Sequence, residues 1–169
     1  MQEPPVSFRK RYHKGASVYT RVFMQDKYCK GKNCLFSQPA LPWHVMKSFD
    51  FLRQHPFDEL KKEKTLSTIT SNLDSLPGHK ARLQFLEKAN LQLDIDLFGK
   101  GINYIEDKWD ALAPYKYSLV FENYSGPYYW SEKLTDCILA GTMPIYWGCT
   151  NIFDFLPKGC LFQIDPRDP

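Results

Sequence analysis

The feature that most constrains the fold is an alternation of strand-like and helix-like segments that begins near residue 65. The apolar segments TLSTITS, LQLDIDLFG, YSLVFE, MPIYWG and CLFQI predict strands. A helix is predicted from about His79, and another over SEKLTDCILAG, with Gly141 as its C-terminal cap. Strands and helices that alternate through short connections favour a parallel sheet of right-handed βαβ units. The sequence therefore predicts an α/β fold.

Residues 1–60 lack this alternation and are predicted to be irregular, apart from a strand at about 17–23. The chain stops at DPRDP directly after its last predicted strand, although a parallel sheet needs both of its faces covered. We therefore expect the chain to be a fragment, with structural elements missing at both ends.

Composition places the chain among globular proteins. Of its 169 residues, 43% are hydrophobic and 24% are charged, which argues against disorder, collagen and coiled coil. No segment approaches the roughly 18 consecutive apolar residues of a membrane span, and the first twenty residues lack the apolar run of a signal peptide. We expect membrane association only through segments that this sequence does not contain.

The net charge of +3 is unevenly distributed. Residues 1–64 carry thirteen Lys and Arg against six Asp and Glu, whereas residues 65–169 carry nine against thirteen. A basic region can suit an anionic partner, but no nucleic-acid-binding motif accompanies the charge. We interpret it as a solvated face and expect no nucleic-acid partner.

The cysteines and histidines do not predict a metal site. Cys29 and Cys34, in the segment YCKGKNC, could close a small disulfide or supply half of a metal site, but no second Cys/His pair has zinc-like spacing. The histidines lie in polar stretches, and we interpret each as a surface or packing residue. They are His13, His44, His55 and His79.

Candidate functional residues are densest over residues 115–148, where a predicted strand, a loop and a helix follow one another. The carboxyl edge of a parallel sheet is where ligands bind in open α/β folds. A helix N-terminus next to Lys133 favours a phosphate or diphosphate, and Glu132 can accept hydrogen bonds from ribose hydroxyls. The alternative is an ordinary helix start, capped by Ser131, with an exposed Glu–Lys pair. The residues at this edge are Glu122, Asn123, Tyr129, Ser131, Glu132 and Lys133.

The same region carries a resemblance to a known family. FENYSGPYYWSEKL followed by AGTMPIYWG resembles the donor-binding motif of the α-1,3/4-fucosyltransferases, glycosyltransferase family ten. TITSN, the following helix with Arg82, and FLP at 155–157 extend the resemblance over about residues 65–165, and more loosely over 1–60. It implies a GT-B fold of two facing Rossmann-like domains. Residues 1–60 would be the tail of the N-terminal acceptor-binding domain and a linker, and residues 61–169 would form a truncated C-terminal nucleotide-sugar donor-binding domain.

The resemblance implies an inverting transfer of L-fucose from GDP-fucose to a hydroxyl of an acceptor glycan, such as N-acetylglucosamine or glucose. No cofactor or metal is implied: the nearest approach to a metal-binding Asp-x-Asp motif is Asp94 and Asp96, which alternate within a predicted strand and are expected to face solvent. By the same resemblance, Arg82 and Lys133 would neutralise the diphosphate, Asn123 and Tyr129 would contact phosphate or fucose, and Glu132 would hold the ribose.

The opening QEPP is similar to the Glu-Ser-Pro segment that ends the acceptor-domain core of the family, although Pro4 stands where the family often has Ser. This implies that Glu3 is the general base; the alternative is a solvent-exposed terminal glutamate. The runner-up function is a non-catalytic nucleotide-sugar-binding remnant, or a transferase that uses another nucleotide-sugar. The compartment would be the Golgi lumen for a eukaryotic protein, and the cytoplasm or membrane periphery for a bacterial one.

Overall fold

A computed structural model describes residues 15–25, 31–38, 45–75 and 77–166. Its main sheet has the order β4-β3-β5-β6-β7, and every neighbouring pair of strands is parallel. The parallel α/β sheet predicted from the sequence is thereby confirmed. The strands are β1 (Val22–Met24), β2 (Cys34–Phe36), β3 (Lys64–Ile69), β4 (Asp96–Phe98), β5 (Tyr115–Gly126), β6 (Met143–Cys149) and β7 (Phe162–Gln163). The helices are α1 (Phe49–Gln54), α2 (Pro77–Asn90) and α3 (Glu132–Leu139), with 3-10 helices at Phe57–Glu59, Lys108–Ala111 and Ile152–Asp154.

The central strand β5 is buried on both faces. Leu119 and Phe121 pack in one apolar cluster with Leu86 of α2, whereas Val120 packs in another with Leu134 of α3. The two helices therefore cover opposite faces of the sheet. This double burial explains why YSLVFE is apolar at nearly every position.

The predicted strand LQLDIDLFG is much shorter than expected, because only Asp96–Phe98 forms β4. Its first residues complete the end of helix α2: the amides of Leu91 and Leu93 donate to the carbonyls of Lys88 and Ala89. Gly99 ends the strand as predicted, with a φ of +124°. A Cβ at this position would lie 1.7 Å from the Thr70 carbonyl oxygen, so only glycine fits here.

The prediction that residues 1–60 are irregular is wrong in part. The strand expected at about 17–23 lies at Val22–Met24 and pairs in parallel with β2, which was not predicted. Helix α1 was also not predicted, although Ser48 caps it by accepting from the Phe51 amide. Val45 is fully buried in the cluster on the α3 side of the sheet, and Leu52 packs against that cluster. The division of the chain at residue 60 stays a prediction.

Helix α3 is fixed at both ends. Ser131 accepts from the Lys133 amide at the start, as its sequence position suggested. At the other end Gly141 has a φ of +65° and donates to the Ile138 carbonyl, while Thr142 donates to the Cys137 carbonyl. These two hydrogen bonds form a Schellman motif and confirm the predicted cap.

Three described cysteines, Cys137, Cys149 and Cys160, are free thiols, whereas Cys34 is disulfide-bonded. Cys29 lies outside the described residues. None of the helices in the described ranges has the length and apolar character that crossing a membrane requires.

Candidate functional site

A cavity of about 360 Å³ opens at the carboxyl edge of the sheet. It is bounded by the ends of β3 and β5, by helix α2 on one side and by the start of α3 on the other. Four of the five side chains expected to hold the donor line it: Arg82, Asn123, Glu132 and Lys133. These residues come from three separate elements, so the fold brings them together as the resemblance implies.

Arg82 is buried in the wall of this cavity, with 5% of its surface exposed. Its Nη2 donates to the carbonyl oxygens of Ser71, at 2.9 Å, and Leu73, at 3.3 Å. Burial lowers the pKa of the guanidinium, but arginine stays protonated in proteins. Its Nε is buried and has no hydrogen-bond partner among the described residues. A buried cation with an unsatisfied N–H donor is suited to bind an anion.

Lys133 brings a second cation to the cavity from the first turn of α3. Its Nζ donates to the Phe121 carbonyl and to Asn123 Oδ1, each at 3.2 Å. Both acceptors lie on β5, so the ammonium group is held between the strand and the helix. The helix N-terminus adds its own partial positive charge at this point.

Glu122 supports the start of α3 from within the protein. It is fully buried, and its carboxylate accepts from the Ser131 amide at 2.7 Å and from the Ser131 hydroxyl at 2.6 Å. Burial raises the pKa of this carboxyl group. The strand does not end at Glu122, as the sequence suggested, but continues to Gly126 with an irregular pairing to β6 after Phe121.

Gly148, in the motif PIYWG, makes room for this support. A Cβ at Gly148 would lie 2.3 Å from Glu122 Cγ and 2.4 Å from the Tyr146 hydroxyl oxygen. That hydroxyl accepts from the Cys149 amide at 2.9 Å. Gly148, in the second half of the motif, therefore leaves the space that Glu122, in the first half, needs to hold the start of α3.

Tyr129 is the one predicted donor-binding residue of the described chain that is not in the cavity wall. It is 2% exposed and packs edge-on against Tyr124, with ring centroids 5.8 Å apart. The preceding Tyr128 has a left-handed φ of +62°, and its amide donates to Asn151 Oδ1 at 2.7 Å. The loop before α3 is thus held in a conformation that buries Tyr129. Its contact with phosphate or fucose stays a prediction.

The cavity contains further polar residues that the sequence analysis did not assign to the site. His79, interpreted above as a surface or packing residue, is 6% exposed and lines the wall one helical turn before Arg82. Lys108 and Asp136 also line it, and they form an ion pair at 2.8 Å. Asp136 lies one turn after Glu132 on α3, and this i, i+4 spacing was the available signal for it.

The two aspartates of LDIDLFG are not at this site. Asp94 is exposed and precedes β4, whereas Asp96 begins it and accepts from the Tyr115 hydroxyl at 2.6 Å. That hydrogen bond lowers the pKa of the Asp96 carboxyl group. The described residues hold no group of three or more His, Cys, Asp or Glu side chains arranged to bind a metal ion.

Comparison with known proteins identifies this architecture. A model of the C-terminal region of glycosyltransferase family 10 (fucosyltransferase) matches residues 59–166. The chain belongs to glycosyltransferase family 10. The resemblance found in the sequence motifs is confirmed.

Curated relatives of this family 10 chain are fucosyltransferases or proteins similar to them. Alpha-(1,3)-fucosyltransferase FucT of Helicobacter pylori is 42% identical over 55 residues, which are 32% of this chain and 12% of the relative. A putative fucosyltransferase-like protein of Arabidopsis thaliana is 39% identical over 87 residues, which are 48% and 17%. The human 4-galactosyl-N-acetylglucosaminide 3-alpha-L-fucosyltransferase 9 is 27% identical over 114 residues, which are 64% and 31%.

Solved structures show the same fold. A crystal structure of an alpha1,3-fucosyltransferase with GDP-fucose superposes with a TM-score of 0.64 and 20% identity, over 96% of this chain and 55% of that one. A crystal structure of an alpha1,3-fucosyltransferase with GDP superposes with a TM-score of 0.63 and 21% identity, over 86% of this chain and 52% of that one. The GT-B type of α/β fold is therefore confirmed. This chain spans about half the length of these structures and less than a third of the curated relatives named above.

Glu3, the candidate base, lies outside the described residues. Its role stays a prediction.

Proposed function

We propose that the cavity binds the nucleotide of GDP-fucose, and that the chain is the donor-binding part of an inverting fucosyltransferase. The enzyme would move L-fucose to a hydroxyl of an acceptor glycan such as N-acetylglucosamine or glucose. The observation that carries this proposal is the buried Arg82 guanidinium, which shares one cavity with Lys133 and the N-terminus of α3. Membership of glycosyltransferase family 10 supports the proposal. So does the crystal structure of an alpha1,3-fucosyltransferase with GDP-fucose, which has the same fold.

The charges of the cavity suit a nucleoside diphosphate as the leaving group. When GDP is expelled, negative charge develops on its β-phosphate. Arg82, Lys133 and the helix N-terminus can stabilise that charge from positions that are set before the reaction begins. Glu132, the first residue of α3, can accept hydrogen bonds from the ribose hydroxyls, as the resemblance implies. In this proposal the protein supplies the positive charge itself, and no divalent metal is required.

The remaining step is the attack of the acceptor hydroxyl on the anomeric carbon of fucose. The C–O bond to the phosphate breaks, the new glycosidic bond forms with inversion, and a base takes the hydroxyl proton. The resemblance assigns that base to Glu3. The rival proposal is a non-catalytic protein that retains the nucleotide-sugar cavity, or a transferase that takes a different nucleotide-sugar.

Two measurements test the proposal, the first on the purified chain and the second on a longer chain. Competition among GDP, UDP and CMP for the cavity is expected to favour GDP; equal or better binding of UDP or CMP would contradict the assignment of the donor. Release of GDP from GDP-fucose with a lactosamine-type acceptor then separates a transferase from a binding remnant. That assay belongs on a chain that includes a full acceptor domain, because this chain spans only part of its relatives.

A further inference from the structure

The cavity wall contains an ion pair that the proposed function does not use. Asp136 of α3 is 1% exposed, and its Oδ2 accepts from Lys108 Nζ at 2.8 Å. Both residues line the cavity, as do Leu112 and Val120. The pair therefore offers an acceptor and a donor side by side in the wall.

The course of α3 relates this pair to a bound nucleotide. Lys133 lies in the first turn of the helix, and Glu132 is its first residue. Asp136 follows Glu132 by four residues on the same face, which is about 6 Å along the helix axis. A nucleotide with its phosphates at Lys133 and its ribose at Glu132 would direct its base toward Asp136 and Lys108.

We propose that Asp136 and Lys108 recognise the base of the nucleotide as guanine. The Asp136 carboxylate would accept from guanine N1–H and from its 2-amino group, and the Lys108 ammonium would donate to guanine O6. Guanine presents two adjacent N–H donors and one carbonyl acceptor along this edge, which matches a carboxylate beside an ammonium group. The assignment rests on the proposed function, because it takes the positions of phosphate and ribose from it.

Burial strengthens the discrimination that such a pair can give. A ligand without the matching donors would place a mismatched edge against the buried Asp136 carboxylate, and this costs far more than the same mismatch in water. A pair with a purely structural role would also stabilise the fold, but it would not distinguish one purine from another. Binding of altered bases therefore separates the two roles.

The test measures the affinities of GDP, IDP and XDP by calorimetry. IDP lacks the 2-amino group, so the unaltered chain is expected to bind it about tenfold more weakly than GDP, the loss of roughly one hydrogen bond to a charged acceptor. XDP carries a carbonyl oxygen in place of that amino group and is expected to bind more weakly still. In Asp136→Asn, the amide can donate to this oxygen while it accepts from N1–H, so the preference should shift from GDP toward XDP.

The control is Asp110→Asn, which changes an exposed aspartate of the 3-10 helix that contains Lys108. It should keep the selectivity of the unaltered chain. A gain in XDP affinity cannot result from misfolding, and if Asp136→Asn does not fold, the nucleotide series on the unaltered chain still decides. IDP bound as tightly as GDP, or a GDP-to-XDP ratio unchanged in folded Asp136→Asn, would overturn the inference alone. Failure of the unaltered chain to bind GDP would instead overturn the proposed function.

Discussion

At the scale of single residues, the two cations of the cavity are held in different ways. Arg82 is anchored by backbone carbonyls of the segment that follows β3, which depend little on neighbouring side chains. Lys133 depends in part on the side chain of Asn123. Asn123 therefore serves to position Lys133, whether or not it also contacts the ligand.

Replacing Lys133 tests its place in the site directly. Lys133→Ala removes one charge-assisted contact to phosphate, which should cost about 1.5–3 kcal/mol, or roughly ten- to a hundredfold in GDP affinity. Lys88→Ala, at an exposed position in the last turn of α2, is the matched control and should bind GDP as the unaltered chain does. Equal calorimetric affinity of a folded Lys133→Ala variant would remove Lys133 from the site.

Glu122 makes stability depend on pH in a predictable direction. Because burial raises the pKa of this carboxyl group above its ordinary value, the folded state holds the proton more tightly than the unfolded state. The stabilisation it contributes is full below the unfolded pKa of about 4.3 and is lost as pH rises through the folded pKa. Glu122→Gln cannot titrate, so its free energy of unfolding should improve relative to the unaltered chain as pH rises.

Urea denaturation of both chains between about pH 4 and 8 measures this difference. Glu87→Gln, at an exposed position on α2, should follow the unaltered chain at every pH. A constant difference between Glu122→Gln and the unaltered chain would show that Glu122 does not titrate differently in the folded and unfolded states.

At the scale of elements, β5, α3 and β6 form one interlocked unit. Glu122 of β5 bonds to the residue that caps α3, and Gly148 of β6 leaves the space that Glu122 occupies. The first turn of α3 carries Glu132 and Lys133, so the geometry of the site depends on packing by residues that do not line the cavity.

Gly148→Ala is therefore expected to destabilise the protein although the change is small. The added methyl group would meet Glu122 Cγ and the Tyr146 hydroxyl well inside van der Waals distance, and such overpacking costs about 1–3 kcal/mol. Gly15→Ala is the control, because a Cβ there has no heavy atom within 4 Å. If Gly148→Ala lowers the urea concentration at the midpoint of unfolding and Gly15→Ala does not, the packing of Gly148 against Glu122 and Tyr146 is confirmed. Equal midpoints for the two variants would contradict it.

The elements that were predicted well from the sequence are those with a continuous apolar run or with capping residues in their own segment. The apolar runs of β3, β5 and β6 and the capped helix α3 have their expected places. The segment from Leu91 was mistaken for a strand because its apolar residues alternate, yet Leu91 and Leu93 are 84% and 53% exposed. They continue the end of α2, and the length of that helix is set by packing on the sheet rather than by local alternation.

At the scale of the whole molecule, the cavity combines segments that lie far apart in the chain. Asn123, Glu132 and Lys133 lie on one strand-loop-helix segment, so their proximity could be predicted from the sequence. Lys108 pairs with a carboxylate 28 residues away, and His79 reaches the wall only because α2 packs against the sheet. No pattern within a short segment of sequence predicts these long-range contacts. For this reason Lys108 and His79 were not predicted to belong to the site.

Transfer by the complete enzyme is expected to survive removal of divalent metals. In the proposed function, Arg82, Lys133 and the start of α3 would provide at the diphosphate the positive charge that a metal ion supplies in other transferases. The measurement is GDP release with and without EDTA, with addition of Mg²⁺ or Mn²⁺ as the control. Complete loss of activity that the added metal restores would contradict this account of leaving-group stabilisation.

The assignment of Glu3 as the base belongs to the whole molecule, and its test requires a chain with a full acceptor domain. Glu3→Gln keeps the size of the side chain and much of its hydrogen bonding but cannot accept the proton, so kcat should fall by about 10²–10⁴-fold. GDP affinity should hardly change, because the proposed donor contacts come from Arg82, Glu132 and Lys133. A terminal surface carboxylate would instead change the rate by less than a factor of about two. Glu59→Gln, at an exposed position, is the control for a surface change. Near-normal kcat in a folded Glu3→Gln enzyme would move the search for the base to other residues of the acceptor domain.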